Sequence, residues 1–387
     1  MIQAIALLSP VYVTLFWGLN FVLQKKSANL PRWILGIFLL FACLLYISHV
    51  IFFSRLDHLY AFFESIYLYA GLTLYPLFYT YILKLTTIRL KFPHHLFHFL
   101  PGILFGLSTI ILTLLLTPEQ RIYYVEHILI KTNLKAINFN GLPGIRGWNF
   151  LLSRIVFILQ TIVYLILIIR IAIKHDKVIN NYFSNTEGKK INWVRNLSFT
   201  AFSVSLAAII FAMLGKSYFI HHNLSLLMPS AFFTSIFFLV GYKGNKQTQI
   251  SERLYESEIN PEKESNAFSF SPEDNLKARL LKLFQSEKIY QLNDLRISTV
   301  CESLHTNRTY ISKLINDEFG MNFNEFVNKY RVEEAKQLLR SKANNKYTME
   351  YIAQQAGFGS VASFSRVFKE IEGTTPGKFR EKYSSFN

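Results

Sequence analysis

The stretch GFGSVASFSRVFKEIEGTTPGKFR, residues 357–380, decides how the C-terminal part of this chain folds. Its apolar residues Phe364, Val367 and Phe368 recur at the three- and four-residue spacing of one helix face. Gly357 comes just before this helix, where a tight connection between helices often needs a left-handed backbone. The stretch therefore predicts a short helix, a tight turn and a second helix with small and polar residues at its start.

A weak internal repeat relates this stretch to an earlier one. Residues 300–320, VCESLHTNRTYISKLINDEFG, follow the same plan as residues 352–373. The matching positions are Ile311 and Phe364, Lys313 and Arg366, Leu314 and Val367, and Gly320 and Gly373. His305 stands where the later unit has Gly357; it tolerates the left-handed conformation less well than Gly but better than most residues.

Two such units have the plan of the helix-turn-helix. The second helix of each unit must present its N-terminal turns to base edges in the major groove of DNA, while its other face packs on the first helix. A cation at the groove face can read the O6 and N7 atoms of guanine. Helical spacing of apolar residues runs from Asn275 onward, which predicts a compact all-helical domain of about 115 residues.

The run GFGSVASFSRVFKEIEGTTPGKFR resembles the second helix-turn-helix of the AraC family of bacterial transcription regulators. The upstream run ISKLINDEFGMNFNEFVNKYRVEEAKQLL, residues 311–339, is similar to the family's first unit and connecting helix. The residues that match the family pattern are Ile352, Ala353, Gly357, Phe358, Phe364, Arg366, Phe368, Lys369, Gly373, Pro376, Phe379 and Arg380. The front end of the chain looks like the membrane-integral branch of this family, which has a seven-helix N-terminal part.

The resemblance implies two recognition helices that enter successive major grooves on one face of double-stranded DNA. Base-facing positions are then Thr309, Ser312 and Lys313 in the first helix, and Ala362, Ser363 and Arg366 in the second. Ala362 can make only apolar contact. The candidates for phosphate contacts are Arg308, Ser360 and Lys369.

The first 242 residues have a different character. The whole chain is 51% hydrophobic and 17% charged, which is unusually apolar for a soluble protein. Seven apolar stretches, most of them near the length of about 20 residues that crosses a bilayer as helix, are residues 3–23, 33–53, 60–83, 96–116, 150–170, 197–220 and 223–242. A soluble helical core would need polar stripes that stretches such as WILGIFLLFACLLYISHVIFF lack. The predicted fold is all-α, with a seven-transmembrane-helix bundle before the DNA-binding domain.

The distribution of Lys and Arg predicts the orientation of this bundle. The loops after helices 1 and 3 carry three each, and the loop after helix 5, between its edge residues Arg170 and Arg195, carries six. The loop after helix 2 carries only Arg55, and residues 117–149 carry four. Positive residues concentrate on the cytoplasmic side, so we expect the N-terminus outside and residues from 243 onward inside, at a bacterial inner membrane.

The charge changes again after the last apolar stretch. Residues 243–274 are acidic and polar, and they predict a flexible linker between a sensor domain, residues 1–242, and the DNA-binding domain, residues 275–387. Residues 273–387 carry 18 Lys and Arg against 14 Asp and Glu, a net charge of +4. This is weak for non-specific DNA binding. Base contacts or dimerisation must therefore help.

Two ionisable residues stand inside apolar stretches. Glu64 and Arg154 could orient a small polar or zwitterionic signal in a shared outer cavity, because charges within a membrane are functional by default. A structural pair, or two residues that reach to the outer interface, explains them equally well.

The sequence shows no sign of enzyme chemistry. It contains no nucleophile elbow, phosphate-binding loop or paired-carboxylate signature. The two cysteines, Cys43 and Cys301, do not suggest a disulfide framework or a thiolate metal site, and we expect neither a metal nor a cofactor.

The overall prediction is a membrane-anchored one-component transcription regulator that is not an enzyme. Its partners are the bilayer, sequence-specific double-stranded DNA, an unknown signal molecule or membrane partner, and a second copy of the chain if the seven-helix parts pair. The alternative is a transporter-like or scaffold membrane protein whose cytoplasmic helical domain mediates protein contacts.

Overall fold

The computed structural model describes residues 2–24, 29–86, 94–130, 141–187, 189–191, 194, 226–247, 275–340 and 347–384. These residues fold almost entirely into helices, and their only β-type pairing is an isolated bridge between Phe183 and Arg296. The chain divides into two compact units. The first contains Met1–Ile173 and Ile191–Gln249, and the second contains Lys174–Lys190 and Ile250–Asn387.

The first unit is a layer of long helices around an aromatic core. Helix α2 packs between α1 and α3, α4 packs on α3, and α7 packs on α1. The α-helices described up to residue 247 are α1 (Ile2–Val22), α2 (Leu30–Phe53), α3 (Asp57–Leu85), α4 (Leu100–Leu115), α5 (Pro118–Tyr123), α6 (Leu142–Tyr182) and α7 (Leu227–Lys246). Trp17, Phe21, Leu35 and Leu39 are buried in the core.

Five helices among the described residues are long and apolar enough to cross a membrane: Ala4–Val22, Leu30–Phe53, Asp57–Leu85, Leu96–Leu115 and Leu142–Tyr182. The predicted seventh stretch, residues 223–242, corresponds to α7, which is not among these five. The predicted sixth stretch, residues 197–220, lies outside the described residues. Residues 248–274 of the predicted linker lie outside them as well. The described part of the chain is thus all-helical, and the count of seven spans stays a prediction.

The region predicted as the exterior loop 117–149 is partly helical. Helix α5 is followed by a π-helical segment, Tyr124–Ile130, in which Tyr124, Val125 and Leu129 are buried against residues of α2 and α3. The segment is too short to span a bilayer, which is why a search for apolar stretches of about 20 residues missed it.

Helix α6 is longer than the predicted stretch 150–170 at both ends. Pro143 lies in its first turn, where proline suits a helix start. Beyond residue 170 the helix buries Ala172, His175 and Ile179, which lie three and four residues apart on one face. The charges at Lys174 and Lys177, which from the sequence alone predict a loop, lie on a solvated face of the helix.

Where the structure describes it, the second unit contains seven further α-helices around two cores. They are α8 (Leu276–Gln285), α9 (Ile297–Ser303), α10 (Arg308–Phe319), α11 (Phe323–Arg340), α12 (Met349–Gln355), α13 (Val361–Glu372) and α14 (Pro376–Ser384). Phe326 of α11 belongs to the core that α8, α9 and α10 share. Ala335 and Leu339, farther along α11, belong to the core shared with α12, α13 and α14. Helix α11 therefore belongs to both cores and holds the two similar halves of the domain at a fixed separation.

Candidate nucleic-acid interface

The first helix-turn-helix consists of α9 and α10. The side chain of Asn307 accepts a hydrogen bond from the backbone N–H of Tyr310 at 3.1 Å and so caps the start of α10. Ile311 and Ile315 are fully buried on the inner face of α10. Helix α10 ends at Gly320, whose positive φ of 63° closes the helix with a left-handed residue.

The second helix-turn-helix consists of α12 and α13 and repeats these features. Ser360 caps α13 by accepting the backbone N–H of Ser363 at 3.1 Å. Phe364 and Phe368 are fully buried on the inner face, and Gly373 ends the helix with a φ of 72°. The repeat predicted from the sequence is therefore a structural repeat.

The turns of the two units use the same backbone conformation. His305 has a φ of 46° and Gly357 a φ of 87°, which confirms the predicted equivalence of these positions. Gly357 has a further constraint, because a Cβ there would run into the carbonyl oxygen of Tyr290 and lie 2.8 Å from the Cα of Gln291. The second turn thus needs glycine for both conformation and space.

A buried arginine that sequence reasoning missed joins the two helix-turn-helix units. Arg331 lies on α11, 1% exposed, and donates hydrogen bonds to the carbonyl oxygens of Tyr290, at 2.8 Å, and Leu292, at 2.7 Å. Its guanidinium also packs over the ring of Phe358, 5.7 Å from the centroid. Burial lowers the pKa of Arg331 to about 10, so the group remains charged at neutral pH. The signal in the sequence was an arginine four residues after the buried Val327, on the apolar face of α11.

The structure brings most of the predicted DNA-contacting residues to the outer faces of the two recognition helices. Opposite the buried faces, the exposed positions are Thr309, Lys313, Ala362, Arg366 and Lys369, and the half-buried ones are Ser312, Ser360 and Ser363. Arg366 approaches Glu370, one turn later, at 3.9 Å. Both side chains are more than half exposed, so this pair holds Arg366 only weakly.

Arg308 differs from the other predicted contacts because it is only 7% exposed. It lines a groove of about 410 Å³ together with Thr309, Ser312, Lys313, Asn316 and Asp317. The remaining wall of the groove is Tyr182, the last residue of α6. Tyr182, 126 positions before Arg308, therefore helps to form this surface, which the sequence did not indicate.

The two predicted signal-binding residues have different direct partners in the first unit, although Arg154 also interacts electrostatically with Glu64. Glu64 is fully buried and accepts hydrogen bonds from Arg146, at 2.7 Å, and from the hydroxyl of Tyr124, at 2.8 Å. Arg154 packs its guanidinium over the rings of Phe150 and Tyr67, at 4.8 and 5.4 Å. The ion-pair partner of Glu64 is thus Arg146, in the region predicted as an exterior loop. Pro143 was the signal in the sequence for an earlier helix start, because proline favours the first turn of a helix, and such a start places Arg146 within α6.

Comparisons with known proteins cover the C-terminal region. Residues 300–382 match the helix-turn-helix domain family. Over 93 residues, 24% of this chain, the sequence is 32% identical to the uncharacterized HTH-type transcriptional regulator YtdP of Bacillus subtilis (strain 168). Over 90 residues, 23% of this chain, it is 30% identical to the regulatory protein PocR of Salmonella typhimurium. The matching segment spans only 12% and 29% of the lengths of these two relatives.

Among solved structures, the C-terminal domain of AraT, a response regulator from Geobacillus stearothermophilus, is 28% identical. The match covers 29% of this chain and 88% of that domain, and its TM-score is 0.26. The family match falls on the two capped units formed by α9 to α14. Residues 300–382 of this chain therefore form a helix-turn-helix domain of the kind that the matching family model describes.

Proposed function

We propose that this protein is a membrane-anchored, one-component transcription regulator of the AraC type. Residues 1–242 form a seven-helix sensor in the bacterial inner membrane, residues 243–274 form a flexible linker, and residues 275–387 bind specific DNA sequences. The observation that carries the proposal is the pair of equivalent recognition helices. Each has its apolar face buried and its polar N-terminal face turned outward, as major-groove readers require.

Within this proposal, Lys313 and Arg366 read bases. They occupy equivalent, exposed positions in the two recognition helices, and a cation there can bond guanine O6 and N7. Thr309, Ser312, Ala362 and Ser363 complete the base-facing sets. Ser360 and Lys369 contact phosphate and carry no sequence information. Arg308 is largely buried, so it mainly supports the first recognition helix, and only the exposed edge of its side chain contacts phosphate.

The membrane anchor rests on the apolar helices and on their exposed faces. Large apolar side chains such as Phe16, Leu107 and Leu159 are each more than half exposed, as lipid-facing side chains would be. Tethered by the linker, the DNA-binding domain stays within about 30 Å of its anchoring point, from 5–6 Å times the square root of about 30 residues. We expect the active, full-length protein to remain in the membrane fraction.

The signal site is proposed around Glu64 and Arg154. Glu64 is held by Arg146 and Tyr124, and Arg154 lies over the rings of Phe150 and Tyr67 and is hydrogen-bonded to Tyr67. The two charges also interact electrostatically, so a polar signal bound beside them meets both.

The test of DNA binding is a selection from random duplexes with full-length protein in detergent micelles. Once a motif is known, Arg366→Ala and Lys313→Ala should each cost about 1–3 kcal/mol at one base position and relax the preference there. Lys369→Ala should weaken all sequences equally and flatten the salt dependence. Lys329→Ala, an exposed lysine of α11 outside the two recognition helices, is the charge-matched control.

Failure to enrich any motif, with the protein folded, would favour the scaffold alternative. Equal losses on specific and random DNA for Arg366→Ala would contradict its role in base reading while leaving DNA binding intact.

A further inference from the structure

Residues Tyr182–Lys190, which we call the strap, lie against the DNA-binding domain. They begin at the last residue of α6 and belong to the same compact unit as α8 to α14. The structure describes every strap residue except position 188. Phe183 and Ser184 are buried, so the strap is packed into the domain surface.

Backbone and side-chain hydrogen bonds fix the middle of the strap. The N–H of Ser184 donates to the carbonyl oxygen of Leu295 at 3.1 Å, and Asn324 donates to the carbonyl oxygen of Ser184 at 2.6 Å. Arg331 donates to the hydroxyl of Ser184 at 3.1 Å. The arginine that joins the two helix-turn-helix units thus also holds the strap, in the space between them.

A salt bridge secures the far end of the strap. The ammonium of Lys189 lies 2.9 Å from Asp294, which also bonds Arg296 at 2.9 Å. Burial would raise the pKa of Asp294, but the hydrogen bonds from Arg296 and Lys189 outweigh it and lower the pKa below its usual value. Asp294 is therefore ionised at neutral pH, and the salt bridge is present there.

From this anchored position the strap reaches the proposed DNA-contacting residues of both units. Tyr182 closes the groove over Thr309, Ser312 and Lys313 of the first recognition helix. At the second unit, the hydroxyl of Ser360 donates to the carboxylate of Glu187 at 2.9 Å.

The carboxylate of Glu187 bonds Ser360, the residue that we expect to contact a DNA phosphate. Ser360 caps the start of α13, where free backbone N–H groups and the helix dipole favour an anion. Its hydroxyl has one proton to donate, which goes either to Glu187 or to a phosphate oxygen. The two acceptors exclude each other.

We propose that the strap is an internal competitor of DNA, which covers both recognition helices in the resting protein and must leave before DNA binds. This inference rests on the proposed DNA-binding function. The released strap frees Ser360 for phosphate and opens the groove at Lys313 for a base edge.

Two features make the strap removable. Burial, and after it the nearby positive charge of Arg366, lower the pKa of Lys190, although Asp176, Glu370 and Glu325 act in the opposite direction. Docking of the charged lysine is therefore opposed mainly by its loss of water. The strap also continues α6, whose apolar part is the fifth predicted span. A displacement of this helix would reach the strap along the chain, without passing through the linker.

The first test is release of the strap in full-length protein in micelles, with the selected duplex as probe. Tyr182→Ala combined with Glu187→Gln should tighten DNA binding about three- to ten-fold, because the competing contacts are modest surface interactions. Glu381→Gln removes the same charge from an exposed position of α14, outside the strap and the recognition helices. This control should leave the affinity unchanged.

The second test locks the strap. A Cβ at position 359 would lie 2.8 Å from the side-chain nitrogen of Asn185, so Asn185→Cys with Gly359→Cys should form a disulfide. The native Cys43 and Cys301 are buried and free. Oxidation should reduce DNA affinity at least about ten-fold, and reductant should restore it.

The outcomes separate the two proposals. If the reduced double-cysteine protein and the wild type bind DNA, but neither locking nor release changes the affinity, the strap is not a competitor and the DNA-binding function stands. If the disulfide does not form under oxidant, positions 185 and 359 are not in contact, and the proposed docking of the strap is wrong. If no form binds any duplex, the proposed function fails, and the competitor with it.

Discussion

Replacement of Gly357 by alanine tests the turn of the second helix-turn-helix. The residue has a φ of 87°, which costs an L-residue about 1–2 kcal/mol. Its new Cβ would also run into the carbonyl oxygen of Tyr290 and lie 2.8 Å from the Cα of Gln291. Both obstacles are backbone atoms, so relief requires the segment after α8 to shift, at a further cost of about 1–3 kcal/mol. We therefore expect Gly357→Ala to destabilise this unit by about 3 kcal/mol.

Hydrogen exchange measured by mass spectrometry on full-length protein in micelles isolates this effect. A loss of about 3 kcal/mol corresponds to roughly a hundred-fold faster exchange in peptides from α12 and α13. Peptides from α9 and α10 should change less, because they belong to a separate core.

Two control variants make the experiment decisive. Gly377→Ala places a methyl group within α14 where nothing lies within 4 Å, and it should slow exchange by raising helix propensity. His305→Gly relieves the left-handed strain at the equivalent turn, φ 46°, and should cost little. Unchanged exchange in Gly357→Ala would refute the argument from backbone conformation and close contact.

Three further predictions concern buried charge and topology. Arg331→Met should lower the free energy of unfolding by about 3 kcal/mol, because it leaves the carbonyl oxygens of residues 290 and 292 without their donor. Urea titration followed by hydrogen exchange measures this loss. A loss below about 1 kcal/mol would contradict the role of Arg331 in joining the two helix-turn-helix units. Glu64→Ala should cost about 3–5 kcal/mol of unfolding free energy in micelles by leaving Arg146 buried without its carboxylate. Arg154→Ala should cost less, because Glu64 keeps Arg146 as its partner, and it should abolish the transcriptional response. Reporter fusions after residues 90, 180 and 245 should report cytoplasm and those near 57 and 130 the exterior; an exterior C-terminus would rule out DNA binding.

The local features of the DNA-binding domain were predictable because each depends on residues close in sequence. The spacing of Phe364, Val367 and Phe368 placed one buried helix face, and the matching of His305 with Gly357 placed two left-handed turns. A helix face and a tight turn are set by neighbours within about four positions. The sequence therefore determined the all-helical class, the two recognition helices and their inner faces by itself.

The long-range polar contacts were decided only by the tertiary structure. The bond from Arg146 to Glu64 joins residues 82 positions apart, and that from Ser360 to Glu187 joins residues 173 apart. No periodicity connects such positions, because a buried charge is satisfied by whichever partner the packing of helices brings within hydrogen-bond distance. For the same reason hydropathy alone ended α6 at residue 170, whereas packing of Ala172 and Ile179 continues it to the strap that covers the recognition helices.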